Sequence, residues 1–264
     1  MPMATVATTT LTMIPNAMNK AWILPDWPAP PNVHCLVTTR HGGVSTEGYT
    51  SLNLGDHVGD DPLAVAENRR RVSAVLPAAP FWLSQVHGVN VLDAGKKPVM
   101  ASAPEADAAF SRQSGTVCAV LTADCLPVLL CNLSGTVVAA AHAGWRGLHA
   151  GVLEQTVAAT GCPGAELLAW LGPAIGPNKF EVGDDVRSVF VTANAEAESA
   201  FKVLQDGKWL ADLYLLARLT LARVGVTALY GGNFCTVQEA TRFFSYRRDG
   251  VTGRMASLIW LAED

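Results

Sequence analysis

Three short apolar runs dominate the middle of the chain: TVCAVLT (116–122), VLLCN (128–132) and TVVAAAH (136–142). Each is too short for an ordinary helix, and none alternates with polar residues, which is the pattern of strands buried on both faces. Only ADCLP and LSG separate them, so the simplest expectation is an antiparallel meander running up, down and up again. The turn after the first strand and the end of the third then share one sheet edge. Cys125 and His142, 17 residues apart in the sequence, are thereby expected side by side. AGWRG follows directly and opens a helix expected over about 148–160, with Ala150, Leu153 and Val157 inward and Gly161 as its stop.

The flanks mix strand and helix signals. VHCLVTTR (33–40) is β-branched and alternating, a strand ending near Arg40. HGGVSTEGYTSLNLGDHVGD (41–60) has no regular period, and loops of that length tend to be functional. Asp61-Pro62 supplies an N-cap and a first-turn proline for a helix with Val65, Val72 and Leu76 on one face. FWLSQVHGVNVLDA (81–94) reads as a strand, a turn at His87-Gly88 and a second strand. LLAWL (167–171) and VTALY (226–230) read as strands. GDDVRSVFVTA (183–193) reads as a helix capped by Asp184, and DLYLLARLTLARVG (212–225) as a helix with Leu213, Leu216 and Leu221 inward. FFSYRRDGVTGRMASLIWL (243–261) is expected to form two strands around a polar turn. Without strict βαβ order the fold class is α+β or mixed α/β, in one domain over residues 20–264. Residues 1–19 carry no charged side chain and no continuous apolar stretch, so they are expected to be a loose extension rather than a signal peptide.

Composition narrows the function classes. Apolar residues make up 50% of the 264 and charged ones 16%, which excludes a disordered chain and a coiled coil. A net charge of −4 leaves no basic surplus for nucleic acid. No run of 18 apolar residues is present, so no membrane span is expected. The six cysteines show no Cys-x-x-Cys spacing; free thiols in a reducing cytoplasm are expected, and no obligate protein partner.

The chemistry-bearing residues cluster beside glycine. His87 precedes Gly88, His142 begins HAGWRG, and Cys125 follows Asp124 in ADCLP. One thiolate and two imidazoles suit zinc, with a fourth position open as in catalytic sites. The spacings of 38 and 17 residues match no local zinc motif, and surface or core histidines fit the same sequence, so the residues alone leave both readings open. Arg146 stands where a helix begins, a place that favours anions; a tight turn with a surface arginine fits equally well. The other cysteines, 35, 118, 131, 162 and 235, read as small hydrophobes, and Arg69, Arg70 and Arg71 as a solvated helix face.

Seven segments together carry a resemblance: TTRHGGVS, SLNLGDHVGDD, SQVHG, TADCLPVLL, AAAHAGWRGLHAGV, LGPAIGP and SYRRDGVTGRMASLIWL. In this order, over roughly residues 22–262, the chain resembles the YfiH-type family, also described as laccase-domain, multicopper polyphenol oxidase and purine nucleoside phosphorylase. The resemblance implies a multilayered sandwich of mixed β-sheets flanked by helices. It also implies zinc held by His87, Cys125 and His142, with Arg40 and the GGVS loop lining the same pocket. The activities it implies are phosphorolysis of adenosine, inosine and methylthioadenosine, with deamination of adenosine. Some bacterial members are described instead as peptidoglycan editing factors, which remove a misincorporated L-Ser from a muramic-acid precursor.

Counting donors weighs these alternatives. A multicopper oxidase needs several His-x-His pairs; this chain has six histidines and no such pair, so copper would bind adventitiously at the one His₂Cys set. Phosphorolysis needs a phosphate pocket, assigned here to Arg40 and Arg146, and an acid for the departing purine, for which Asp124 and a metal-bound water are candidates. A Cys125 nucleophile with His142 as base is the hydrolase alternative, suited to an amidase.

Overall fold

The computed structural model describes residues 21–96 and 102–262. The expected extension, residues 1–19, lies outside the described residues. In chain order the strands are β1 Val33–Val37, β2 Val91–Asp93, β3 Ala108–Ser111, β4 Cys118–Thr122, β5 Leu126–Asn132 and β6 Val138–Ala143. They continue as β7 Leu167–Leu171, β8 Glu181–Gly183, β9 Phe201–Gln205, β10 Lys208–Ala211, β11 Ala228–Gly231 and β12 Met255–Leu261. The helices are α1 Pro62–Ser73, α2 Trp145–Ala150, α3 Val152–Thr160, α4 Asp184–Ala193, α5 Leu213–Arg223 and α6 Tyr246–Asp249.

The apolar runs are strands with both faces covered. In β5, Leu126, Val128 and Leu130 pack on one side while Leu129 and Cys131 pack on the other. The six-stranded sheet, in order β11-β7-β5-β6-β3-β2, thus has a core on each face. One core holds Leu153 and Val157 of α3 with Leu216 and Leu221 of α5. The other meets a three-stranded sheet, β1-β12-β4, through Val37, Val120 and Ile259. The outer face of that smaller sheet, with Ala119, Leu121 and Leu258, is closed by Val72 of α1 and by Leu52 and Leu54. Helices, large sheet, small sheet and helix therefore stack as a mixed α/β sandwich. A small antiparallel sheet, β8-β10-β9, stands beside it.

Several expectations are corrected. The meander is not formed: β5 and β6 pair as a hairpin, but β4 pairs with β12 in the other sheet. The turn between β4 and β5 is a crossing between layers, and β4 lies between two cores, with Cys118 and Val120 in one and Ala119 and Leu121 in the other. The helix expected at 148–160 starts at Trp145 and is broken at Gly151, which takes a left-handed conformation (φ 105°). The segment before residue 250 is not a strand; Phe243 and Phe244 are buried side chains leading to the single turn α6. Asp184 is the first residue of α4, with Gly183 at the cap. Leu76 lies past the end of α1. Residues 81–85 contribute only isolated bridges, Phe81 to Cys118 and Ser84 to Glu105. Arg69 is no solvated residue: it pairs with Asp56 at 3.1 Å and stacks on Trp82. No helix among the described residues is long and apolar enough to cross a membrane.

Candidate metal centre

The β5–β6 hairpin builds the site. Its register sets Leu126 opposite Ala143 and Pro127 opposite His142, so Cys125, just before β5, lies beside Gly144, just after β6. His87 arrives from the turn that leads to β2. The ligand atoms of His87, Cys125 and His142 all lie within 4.8 Å of one another. Sγ of Cys125 is 3.7 Å from Nε2 of His87, and the two imidazoles meet edge to face with centroids 4.8 Å apart. A sulfur and a nitrogen on tetrahedral zinc stand about 3.6 Å apart, from bond lengths of roughly 2.3 and 2.1 Å. The donor set therefore fits a small tetrahedral ion, and its mixture of one thiolate and two imidazoles suits zinc chemically. Gly144 completes the cradle: a Cβ there would fall 2.8 Å from Cδ2 of His87 and 2.9 Å from Sγ of Cys125.

Asp107, which sequence reasoning missed, organises the centre. It is fully buried and accepts four hydrogen bonds. Nδ1 of His142 donates to Oδ1 at 2.8 Å, fixing the tautomer that turns Nε2 toward the other donors. The backbone N–H groups of Val86, His87 and Gly88 donate at 3.2, 2.9 and 2.6 Å. Three successive N–H groups closed around one anion form a nest. This nest holds His87 in the left-handed region (φ 60°), a conformation that costs about 1–3 kcal/mol for a non-glycine residue. Asp124 is held in the same region (φ 93°). Its carboxylate is engaged on both sides, by the Thr236 hydroxyl at 2.5 Å and the Arg247 backbone N–H at 2.6 Å.

Charge within the centre is strongly coupled. Burial pushes the Cys125 thiol up, but the charge on His142 and hydrogen bonds from both imidazoles outweigh it and bring Cys125 down to about 6. Burial pulls His142 down, but the Cys125 thiolate and Asp107 outweigh it and bring His142 up to about 9. Burial also raises the Asp107 carboxyl, and its hydrogen bonds with His142 and the backbone of the nest hold it below its ordinary value. The two shifts support each other: each favours the charged form of its partner, a thiolate on Cys125 and a protonated imidazole on His142.

The donors open onto a cavity of about 520 Å³. Its wall includes Asp124 and Arg146, as the sequence expected, and also His57, Arg247 and Arg254, which sequence reasoning did not single out. Trp145, Ile175, Phe180, Leu213 and Tyr246 supply its apolar and aromatic surface. Arg146 lies over the Trp145 ring at 4.5 Å; α2, which it opens, is only six residues long, too short for the helix-end anion site expected there. Arg40 and the GGVS loop are not among the lining residues. The Arg40 guanidinium is spent on the carbonyls of Thr50 and Ala240 at 2.9 and 2.8 Å and stacks over Phe244. It braces the 41–60 loop rather than facing the cavity. All six cysteines are free; Cys118, Cys131 and Cys235 are buried, while Cys35 and Cys162 are half-buried.

Comparison with known proteins follows the same outline. Residues 34–262 match the family model described as multi-copper polyphenol oxidoreductase laccase. The chain belongs to this family. It is 58% identical over 244 residues to a Pseudomonas aeruginosa protein named purine nucleoside phosphorylase, covering 92% of this chain and 99% of that one. It is 57% identical over 242 residues to the purine nucleoside phosphorylase YfiH of Escherichia coli K12, covering 90% of this chain and 98% of that one. Among solved structures, a Neisseria meningitidis protein of the DUF152 family superposes with a TM-score of 0.88 at 54% identity, covering 92% of this chain and 100% of that one. YlmD from Geobacillus stearothermophilus superposes with a TM-score of 0.85 at 31% identity, covering 92% and 97%. Family membership and the sandwich fold agree with the resemblance read from the seven sequence segments. The laccase name does not extend to the metal count: among the described residues one three-donor group is present, where a multicopper oxidase needs several.

Proposed function

We propose that this member of the laccase-like family is a zinc-dependent purine nucleoside phosphorylase. It cleaves adenosine, inosine and methylthioadenosine with inorganic phosphate and deaminates adenosine at the same site. The observation that carries this reading is the convergence of His87, Cys125 and His142 on one cavity, in a chain 57–58% identical to proteins named purine nucleoside phosphorylase. His87, Cys125 and His142 would hold the ion, and Asp107 orients two of them. Bound there, zinc would supply Lewis acidity.

The chain's own residues account for the rest. Trp145, Phe180 and Tyr246 offer aromatic surface to a purine. Arginines on the wall attract the phosphate dianion, which then sets negative charge beside C1′ as the ribose becomes cationic. Asp124 has both oxygens engaged, so we assign it to positioning the 236 and 247 segments rather than to protonating the purine. A Cys125 nucleophile with His142 as base would use the same low Cys125 pKa; the third donor, His87, is redundant for such a dyad and favours the metal. The free cysteines support a cytoplasmic setting, and the partners are small molecules, nucleoside and phosphate.

The test is an assay of the purified chain on inosine and adenosine with and without phosphate. Release of hypoxanthine or adenine that depends on phosphate, with ribose 1-phosphate formed in equal amount, supports the reading. Cleavage indifferent to phosphate, or none in zinc-replete protein, defeats it.

A further inference from the structure

Three arginines line the cavity, Arg146, Arg247 and Arg254, and none of them has a carboxylate within ion-pair distance among the described residues. Six arginines elsewhere, Arg69, Arg70, Arg71, Arg187, Arg242 and Arg248, pair with Asp or Glu, and Arg40, Arg112 and Arg218 donate to backbone carbonyls. Unpaired guanidinium groups gathered on one concave wall mark a place where an anion completes the charge.

Arg254 is the most constrained of the three. Its backbone N–H donates to Oδ1 of Asn53 at 2.9 Å. Its Nη1 donates to the carbonyls of Thr252 and Gly253, both at 3.0 Å. That fixes the plane of the guanidinium from one side and leaves its opposite edge, Nε–H and Nη2–H, with no acceptor among the described residues. Those two parallel donors form the fork that matches two oxygens of a tetrahedral oxyanion. Arg254 lines the same cavity as His87, Cys125, His142 and Asp124; burial lowers its pKa, and the charges of Cys125 and Asp124 oppose this. Neither neighbour competes for the fork. Asp124 is occupied by Thr236 and Arg247, and Cys125 belongs to the candidate metal centre. By contrast Arg146 is exposed, and Arg247 donates Nη1 to the Glu181 carbonyl and stacks near Phe180.

We propose that Arg254 is the phosphate-binding residue of the cavity, its Nε–Nη2 edge gripping two oxygens of inorganic phosphate beside Cys125. The proposal rests on the phosphorylase reading for its use of the anion. A third phosphate oxygen forms the bond to C1′ of the nucleoside. The C1′–N9 bond breaks with its electron pair on the purine, and the proton of HPO₄²⁻ ends on the released base. Products are purine and ribose 1-phosphate, with no oxidant or reductant required. Arg254 replaces Arg40 in the role the sequence assigned to the latter.

Calorimetric titration of the zinc-loaded full chain with inorganic phosphate tests it, in the wild type, Arg254→Gln and Arg254→Lys, with folding checked by thermal melting. The wild type is expected to bind phosphate and Arg254→Gln to bind it about tenfold or more weakly, the loss of charge-assisted hydrogen bonds. Arg254→Lys keeps the charge but not the fork, so it should also bind weakly. In kinetics the KM for phosphate should rise with the KM for inosine nearly unchanged, and zinc content should not move. Sulfate should displace phosphate, and acetate should not, which separates a tetrahedral oxyanion from a carboxylate. A wild type that binds no phosphate, an Arg254→Gln variant with wild-type affinity, an Arg254→Lys variant with wild-type affinity, or displacement by acetate overturns the assignment. Phosphate binding through Arg254 with no ribose 1-phosphate formed leaves the anion site standing and removes the phosphorylase reading. Phosphate-dependent cleavage untouched by Arg254→Gln does the reverse.

Discussion

Replacing Asp107 by Asn keeps the shape of the side chain and removes its charge and one acceptor. In the native arrangement Oδ1 takes Nδ1 of His142 and the N–H of His87, while Oδ2 takes the N–H groups of Gly88 and Val86. Asn can turn its oxygen to only one of these pairs, and its NH₂ then faces two donors. Two of four hydrogen bonds to a buried charge are lost. At about 1.5–3 kcal/mol each, the loss is about 3–6 kcal/mol, a large share of the roughly 5–15 kcal/mol that holds a domain folded. Zinc affinity should also fall, because Asp107 fixes both the His142 tautomer and the His87 turn. Loss of such an outer partner typically weakens metal binding about 10–100-fold. Urea unfolding measures the first effect, and competition with a zinc-binding dye, run well below the melting temperature, measures the second. An Asp107→Asn variant as stable as the wild type and binding zinc as tightly would show that the carboxylate organises neither the turn nor the imidazole.

Other outcomes follow from the same geometry. Zinc binding requires a thiolate and a neutral imidazole. Cys125, at about 6, is already deprotonated above that pH, while His142, at about 9, still carries a proton below it. One proton therefore leaves on binding, and apparent zinc affinity should rise about tenfold per pH unit between about 6 and 9; a flat profile in chelator competition would contradict the coupled pair. Gly144→Ala places a methyl against His87 and Cys125, so zinc per chain should drop while far-UV circular dichroism stays native. Tyr214→Phe removes the hydroxyl that accepts from the Ala174 N–H at 2.9 Å. Leaving that buried N–H unpaired should cost about 1–3 kcal/mol in urea unfolding.

The sequence carried much of this, unevenly. Strands 118–122, 126–132 and 138–143 were legible because each is apolar on both faces, but their partners were not. Pairing of β4 with β12 joins segments more than a hundred residues apart, and nothing in TVCAVLT distinguishes that partner from the strand next to it. Cys125 still met His142, through the β5–β6 register rather than a meander. FKVLQDGKWLA went unread although Asp206-Gly207 between two β-rich runs is a hairpin signal. His87, Cys125 and His142 stood out by residue type and glycine neighbours. Asp107, in EADAAF, had no such mark, since its role depends on three N–H groups from a distant turn. Arg40 and Arg254 look alike in sequence, and only their hydrogen bonds separate a brace from a free fork.

The central claim is that Cys125 holds a metal and does not attack the substrate. It is tested most directly by measuring zinc per chain and inosine phosphorolysis in the same preparations of wild type and Cys125→Ser. A hydroxyl is a poor zinc ligand beside a thiolate, so the variant should lose zinc and activity together, and excess zinc should restore part of both. A variant that keeps wild-type zinc and loses activity, with a wild-type chain carrying a covalent Cys125 adduct of the substrate in its intact mass, would contradict the account.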